Sequence, residues 1–265
     1  HTNSFTDSYQ QYIEEINPEW ISGITYTRLV RLNLLKSDGQ TSTTVDPTAA
    51  NLSAYPKNPR DNRPSYLETA YDLLAGAYPQ DMHDLILVTD KYNRVNKSVL
   101  EELGMDSNEK SIDFEDILGM ELRVIPNDIF YKQDGDLFVL NGNPKNLQEL
   151  YKGKEAISLK IVGIVRPARE TEIPVIQPGI AFSDDLCRHF MEDAGHSDVV
   201  KAQKKADYNV LTGEPFRTSD TSSSVGAPLG ISHPPLESPM GGPTGTASQS
   251  IAVKKDTLLS TLGAS

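Results

Sequence analysis

The chemically reactive side chains of this sequence are one cysteine and a few histidines. The histidines stand at positions 1, 83, 189, 196 and 233, and the cysteine is Cys187. Cys187 and His189 lie two residues apart in a segment with helical patterning, and side chains at that spacing face different sides of a helix. A free cysteine is usually buried as a small apolar residue. We therefore predict a buried cysteine and a surface histidine, and no metal site.

The sequence contains no motif for nucleophilic or phosphate chemistry. It has no Gly-x-Ser-x-Gly elbow, no Gly-x-x-x-x-Gly-Lys phosphate loop and no Gly-x-Gly-x-x-Gly fingerprint. Asp134-Gly135-Asp136 resembles the start of a calcium loop, but the remaining ligand positions are missing. A hairpin turn accounts for this tripeptide.

Adjacent carboxylates are the remaining candidates for catalysis. They occur as Glu14-Glu15, Glu101-Glu102 and Asp184-Asp185. The patterning places these pairs on exposed helix faces or in first turns, where acidic residues are common. A glycosidase pair depends on spacing in three dimensions, so that alternative stays open. We predict no catalytic residues, no cofactor-binding residues and no metal ligands, and hence a protein that is not an enzyme.

Length, net charge and cysteine content restrict the kinds of partner and fold that this chain can have. The chain has 265 residues, enough for one large domain or two small ones, and a net charge of −12. Such an acidic chain is unsuited to nucleic acid, which requires a basic face. One cysteine excludes an intramolecular disulfide, and no apolar run approaches the roughly 20 residues that span a bilayer. The sequence begins at His1 without a signal segment, so we expect it to be a piece of a longer protein.

Apolar strands alternate with short capped helices along the chain. Strands are predicted near residues 24–35, 84–89, 120–125, 136–140 and 156–165. Helices are predicted in "NSFTDSYQQYIEEINPEW", "NKSVLEELG", "SIDFEDILG" and "NLQELYKG", and at residues 183–191 and 197–205. This alternation predicts an α+β fold, in which a mixed β-sheet has short helices packed on it. A flexible loop rich in Gly, Pro, Ser and Thr is expected near the C-terminus.

The strand patterns also predict the core and two special glycines. In the first strand apolar residues alternate, with Arg28 as the exception. Gly76 is expected to relieve a turn, and Gly163 to mark a bulge or a close backbone approach. The predicted core residues are Leu85, Ile86, Val88, Leu122, Val124, Leu159, Ile161, Val162 and Ile164.

Three segments are predicted. Residues 1–216 form the body, with an exposed, proline-rich excursion at 46–64. In residues 217–250, Gly, Pro, Ser and Thr supply 22 of 34 positions. The remaining apolar side chains are too few to offset the entropy lost when the segment becomes ordered. We expect this segment to be flexible. Residues 251–265 regain a pattern and are interpreted as a return segment toward the membrane or a following subdomain.

Five short motifs in a fixed order carry a family resemblance. They are "YDLLAGAYP", "DLILVTDKYN", "VLEELG", "ILGMELRVI" and "LKIVGIVRP". The series resembles the extracytoplasmic core of MacB/FtsX-like ABC transporter permeases, especially large Gram-positive ones, over most of residues 3–216 and more weakly over 250–265. "YIEEINPEWISGITYTRLVRLNLL" and "DVVKAQKKADYNVLTGEPF" are also similar. The family usually has a basic residue after the glycine of the first motif, where this chain has Ala77.

The resemblance implies an extracellular domain of a membrane protein, on the outer face of the cell membrane. Its implied partners are the transmembrane part of its own chain, an ATPase subunit, and a peptide, lipoprotein, antibiotic or protein outside the cell. Its implied role is to engage that partner and couple with ATP-driven movement. Polar loops at 46–64 and 128–136 are the candidate contact surfaces. A secreted or surface-anchored binding module and a cell-wall-active hydrolase remain the alternatives.

Overall fold

The computed structural model describes residues 6–26, 28, 30–58, 64–106, 108–109, 111–171, 173–216 and 250–254. This part of the chain is about 27% helical and 31% strand, with mixed sheets and several short helices. The predicted α+β class is therefore confirmed. The predicted flexible tract, apart from Ser250, and the return segment beyond Lys254 lie outside the described residues.

The strands are short, apart from one that runs through the centre of the fold. They are β1 (Leu34–Ser37), β2 (Ser42–Thr44), β3 (Ser53–Tyr55), β4 (Tyr71–Gly76), β5 (Asp84–Val88), β6 (Arg94–Asn96), β7 (Ser111–Asp113), β8 (Glu121–Val124), β9 (Tyr131–Asp134), β10 (Leu137–Leu140), β11 (Ile157–Pro167), β12 (Gly179–Ser183) and β13 (Ser250–Lys254).

Four of the eight described helices, and one 3-10 turn, begin after a polar side chain that accepts a hydrogen bond from a free backbone N–H; these capping residues are Thr6, Asn17, Ser65, Asn143 and Ser183. The helices are α1 (Asp7–Glu14), α2 (Tyr66–Ala70), α3 (Lys97–Glu102), α4 (Phe114–Ile117), α5 (Asn127–Phe130), α6 (Pro144–Lys152), α7 (Asp184–Gly195) and α8 (Asp198–Gln203), with the 3-10 turn at Pro18–Trp20. At α2, Ser65 and Glu68 form a reciprocal capping box. None of the described helices has the length and apolar character needed to cross a membrane.

The long strand β11 organises the main sheet. Among the described residues, the strand order of this sheet is β2-β1-β8-β11-β5-β12-β3. One edge of β11 pairs in parallel with β5, and its other edge pairs antiparallel with β8 and then with β4. Parallel and antiparallel pairs thus meet on one strand, which makes the sheet mixed.

Two glycines face each other where β4 meets β11. Gly76 is in register with Gly163 and has φ of +75°. A Cβ added at Gly163 would stand 2.1 Å from the carbonyl oxygen of Ala77, and one at Gly76 would stand 2.1 Å from that of Val162. The pairing of β11 with β5 also shifts register between Ile161 and Gly163. The predicted bulge and close backbone approach at Gly163 are both confirmed.

The predicted core residues lie in these strands. Eight of the nine are at most 1% exposed, and Val162 is half-buried. β5 is enclosed between β11 and β12, which explains its continuous apolar run. Tyr71, at the start of β4, is also fully buried, and its hydroxyl donates to the Ile176 carbonyl oxygen at 3.0 Å.

The predicted strand near 24–35 is wrong over most of its length. Ile24 makes only an isolated bridge to Lys57, and regular pairing begins at Leu34. Two side chains of the segment before Leu34 bond to distant parts of the chain. Arg28 bonds to Asp184, and the Asn33 amide donates to the Ile125 carbonyl oxygen.

Two further elements differ from the sequence predictions. Residues 111–119 are predicted as one helix, but Ser111–Asp113 forms β7 because it pairs with β13, and only Phe114–Ile117 is helical. The hairpin about Asp134-Gly135 is confirmed, but its strands form a separate sheet. Phe138 of that hairpin packs with Val199 and Val210, away from the main sheet.

Segments taken for loops or helix starts also contribute strands. Part of the predicted excursion at 46–64 belongs to the sheet, since β3 pairs with β12 and Ala50 is fully buried. The predicted turn of "YDLLAGAYP" is largely strand β4. β12 itself was not predicted, because its five residues run directly into the cap of α7.

Candidate functional site

The reactive side chains lie apart from one another. Cys187 is 3% exposed on the inner face of α7, whereas His189 on the same helix is exposed. Burial, with the nearby charge of Asp184, raises the pKa of the Cys187 thiol to about 11, so the thiol stays protonated at neutral pH. In the described part of the chain, no group of three or more His, Cys, Asp or Glu is arranged to hold a metal ion.

The carboxylate doublets fall into two kinds. Glu14-Glu15 is exposed, and in the second doublet Glu101 is exposed while Glu102 is half-buried. Asp184, in contrast, is 5% exposed, although its neighbour Asp185 is exposed. A buried carboxylate requires a partner, and the site is built around the partner of Asp184.

Arg28 and Asp184 form a two-pronged ion pair. The Arg28 Nε donates to Asp184 Oδ1 at 2.6 Å, and its Nη2 donates to Oδ2 at 2.8 Å. The guanidinium also lies over the Tyr26 ring, 5.0 Å from its centroid. The hydrogen bond to Asp184 raises the pKa of the Arg28 guanidinium above its usual value, so the group remains charged.

The position of Asp184 follows from the local fold. β12 delivers the chain from the sheet into α7, and the Ser183 hydroxyl caps the helix by accepting from the Asp185 N–H. Asp184 is thereby fixed in the first turn, where the partial positive charge of the helix stabilises a carboxylate. Arg28 reaches it from the irregular segment that replaces the predicted first strand.

A cleft of about 320 Å³ opens beside this ion pair. Its walls come from α1, from the segments on either side of the Ile24–Lys57 bridge and from α7. The residues lining it are Glu14, Ile24, Tyr26, Lys57, Asn58, Asp184 and Arg188. A shallower cleft of about 180 Å³ continues from it along Tyr55 and the segment 79–82, sharing Lys57, Asn58 and Asp184.

The cleft carries both charges and neutral phenols. Burial, and then the charge of Glu14, raise the pKa of Tyr26. Burial also raises the pKa of Tyr55 well above its usual range. Lys57 and Arg188 lie 3.9 and 4.0 Å from Asp185 at the exposed rim. The hydroxyls of Tyr26 and Tyr55 therefore stay protonated near neutral pH and can donate and accept hydrogen bonds.

Another cleft, of about 410 Å³ and separate from the two beside Asp184, is lined in part by the other predicted contact loop, residues 128–136. It borders a buried amide network in which the Asn33 Nδ2 donates to the side-chain Oδ1 of Asn127 at 2.8 Å. Asp128 accepts from the Asp198 N–H at 2.8 Å and joins α5 to α8. Both predicted contact loops therefore contribute to clefts, although only parts of each do so.

Sequence reasoning missed the ion pair, although a signal was present. Arg28 interrupts an otherwise apolar alternation, and a charge at such a position needs a buried partner or a break in the strand. Asp184 was treated as an ordinary first-turn acid. Pairing them requires contact across 156 positions, which no local pattern gives.

The buried carboxylate that lines the cleft, Asp184, is paired with the Arg28 guanidinium. The buried thiol of Cys187 is protonated and on the inner face of its helix. Comparison with known proteins finds no matching family model, no matching curated protein and no matching solved structure.

Proposed function

We propose that this chain is the extracytoplasmic domain of a MacB/FtsX-like ABC transporter permease. In this role it engages a substrate or partner outside the membrane and transmits that contact to membrane helices driven by an ATPase. The proposal rests on the ordered motifs and on where they lie. It assigns no catalytic step to the domain.

The observation that carries the proposal is that the motifs fall on one structural unit. "LKIVGIVRP" is most of β11, and the motifs with "AGAYP", "LILV" and "MELRV" supply β4, β5 and β8. Each of those three strands pairs directly with β11. The fifth motif, "VLEELG", supplies α3, whose Val99 and Leu100 enter the same core cluster. A set of motifs spread over 97 positions, 71 to 167, is thus a single packed framework.

The arrangement of surfaces supports a role in binding. Recognition usually resides on loops held by a rigid scaffold. Here the cleft beside Arg28 and Asp184 is fixed by a buried ion pair and by the capped start of α7. α1, which forms one wall, also exposes two stacked tyrosines, Tyr9 and Tyr12. Exposed aromatic side chains are frequent anchors in protein interfaces.

The test is to purify the full-length gene product that contains this chain from its own membranes in mild detergent. We expect an ATPase of the ABC class to co-purify in stoichiometric amount, identified by mass spectrometry, and protease added to intact cells to cleave this domain. A mock purification from untagged cells is the matched control. A full-length product that leaves the membrane with salt alone, or that brings no such ATPase, contradicts the proposal and favours a surface binding module.

A further inference from the structure

The smaller three-stranded sheet is completed by a strand from far along the chain. Among the described residues it has the order β6-β13-β7. β13 pairs antiparallel with β6, with Ile251 opposite Val95, and parallel with β7, with Val253 opposite Ile112. The central strand of this sheet is therefore the last one in sequence, while its two neighbours lie within 20 positions of each other, 94 to 113.

β13 also fills an apolar groove. Ile251 is 2% exposed and Val253 is 1% exposed. Both belong to the core cluster that contains Val95, Val99 and Ile112. Without β13, the facing edges of β6 and β7 would present unpaired N–H and C=O groups beside an apolar floor. That combination is what an extended segment recognises when it adds to a sheet.

The connection to β13 is long. Residues 217–249 separate Phe216 from β13, and a fully extended chain of that length spans on the order of 110 Å. The covalent connection therefore does not require β13 to occupy the groove of its own copy. A second copy within that distance satisfies the same geometry.

We propose that the groove between β6 and β7 accepts β13 from a second copy of this chain, so that two copies can exchange this strand. The occupant is residues 250–254 of the other copy, because this chain already supplies the segment that fits. The exchanged and unexchanged forms make the same hydrogen bonds and bury the same side chains. Which form dominates is set by the concentration of the second copy relative to the effective concentration of the tethered strand.

This proposal does not depend on the transporter assignment. Its features are the pairing register, the buried pair Ile251 and Val253, and the length of the connection. It adds a means by which two copies can be joined, whatever the domain binds in its clefts.

The register provides a direct test by disulfide trapping. The Val253 N–H donates to the Asn93 carbonyl oxygen at 2.7 Å, so Ala252 and Arg94 form the intervening non-hydrogen-bonded pair, in which side chains are closest. One chain carries Arg94→Cys and another carries Ala252→Cys, both with Cys187→Ala. Mixed and oxidised, they should form a disulfide-linked heterodimer whose yield rises with protein concentration.

Three matched variants make the result decisive. A single chain with both Arg94→Cys and Ala252→Cys should close internally, which shows that both cysteines are tolerated in this register; failure to close overturns the proposal. Adding Ile251→Asp to the Ala252→Cys chain should abolish the heterodimer. Lys145→Cys, at a side chain that is 86% exposed on α6, gives the collision background with Arg94→Cys. If the yield of heterodimer from the Arg94→Cys and Ala252→Cys chains is no greater than this background, strand exchange is refuted.

Discussion

The main sheet and the three-stranded sheet reach the same kind of burial by different routes. In the main sheet, β5 has a continuous buried apolar run, Leu85–Val88, and the long strand β11 joins three partners. In the small sheet, each strand has three to five residues, and the centre is supplied by β13, which is separated from the end of β7 by 136 residues (residues 114–249). We therefore expect that β13 can be withdrawn with the main sheet still paired, although its two buried side chains belong to the same core cluster.

The two sheets also differ in the contacts that make them sensitive to substitution. β11 is fixed by a backbone contact at Gly163 that leaves no room for a side chain. β13 is held by two buried side chains and by ladder bonds. Substitutions in the two sheets should therefore differ in how far their effects spread.

The largest effect is expected at the glycine crossing. Gly163→Ala places a Cβ 2.1 Å from the Ala77 carbonyl oxygen, and the backbone of β4 or β11 must move. We expect a loss in unfolding free energy on the order of 4 kcal/mol, or failure to fold. Gly104→Ala is the matched control, since its φ is +83° but no atom lies within 4 Å. It should cost only about 1–2 kcal/mol. Equal costs in urea melts would show that no clash exists at Gly163.

A matched pair of isoleucines compares the two sheets directly. Ile161→Ala in β11 should lower the global unfolding free energy by about 2–5 kcal/mol, because its cavity lies in the centre of the main sheet. Ile251→Ala in β13 removes the same atoms from a side chain as well buried. Amide exchange should then accelerate mainly in β6, β7 and β13 while β5 and β11 stay protected. Uniform loss of protection after Ile251→Ala would mean that the two sheets unfold as one.

The ion pair beside the cleft should give a smaller effect. Asp184→Asn leaves the Arg28 guanidinium, which is 18% exposed, without a charged partner. We expect a loss of about 2–3 kcal/mol, reduced from the fully buried case by that exposure. Asp185→Asn, one residue further and exposed, should stay within about 0.5 kcal/mol of the natural chain. Denaturant melts that rank the two substitutions in the opposite order would contradict the structural role of Arg28.

The smallest effect is a dependence on alkaline pH. The pKa of the Cys187 thiol is raised to about 11 in the folded chain from an ordinary value near 9. The protonated thiol therefore stabilises the fold fully below about pH 9, and this contribution is lost as the pH rises toward 11. The stability difference between the natural chain and Cys187→Ala should shrink by about 1–2 kcal/mol over that interval. A difference that is flat or grows with pH would show an exposed thiol.

The pattern of apolar residues along the chain predicts those strands whose own sequence is strongly apolar. Apolar runs predicted β5, β8 and β11, and the tight contact at Gly163 followed from a glycine inside a strand. The same reasoning fails for segments whose structure depends on hydrogen bonds to residues far away in the sequence. The sequence of β7 by itself predicts the start of a helix, because its partner, β13, lies about 140 positions away. The predicted first strand fails because Arg28 and Asn33 bond to side chains and carbonyls across the sequence.

The candidate cleft was predictable only in part. The loop at 46–64 was proposed as a contact surface, and Lys57 and Asn58 do line the cleft. Its buried centre was not foreseen, because an acid in the first turn of a helix is usually solvated and nothing local marks Asp184 as the exception. A charge that breaks an apolar alternation, as Arg28 does, is the signal that points to such a partner.

The most direct test of the proposal that this domain binds and transmits but does not catalyse is complementation of a deletion strain by the full-length protein that contains this chain. The phenotype measured is growth or resistance, with membrane level and folding checked for each variant. Single alanine substitutions are made at polar side chains: Asp90, Glu101, Asp116, His189 and Glu214. The account predicts that each retains most activity. If one of them abolishes function while the protein remains folded and in the membrane, that single side chain is indispensable for catalysis or ligand binding, and the account is wrong.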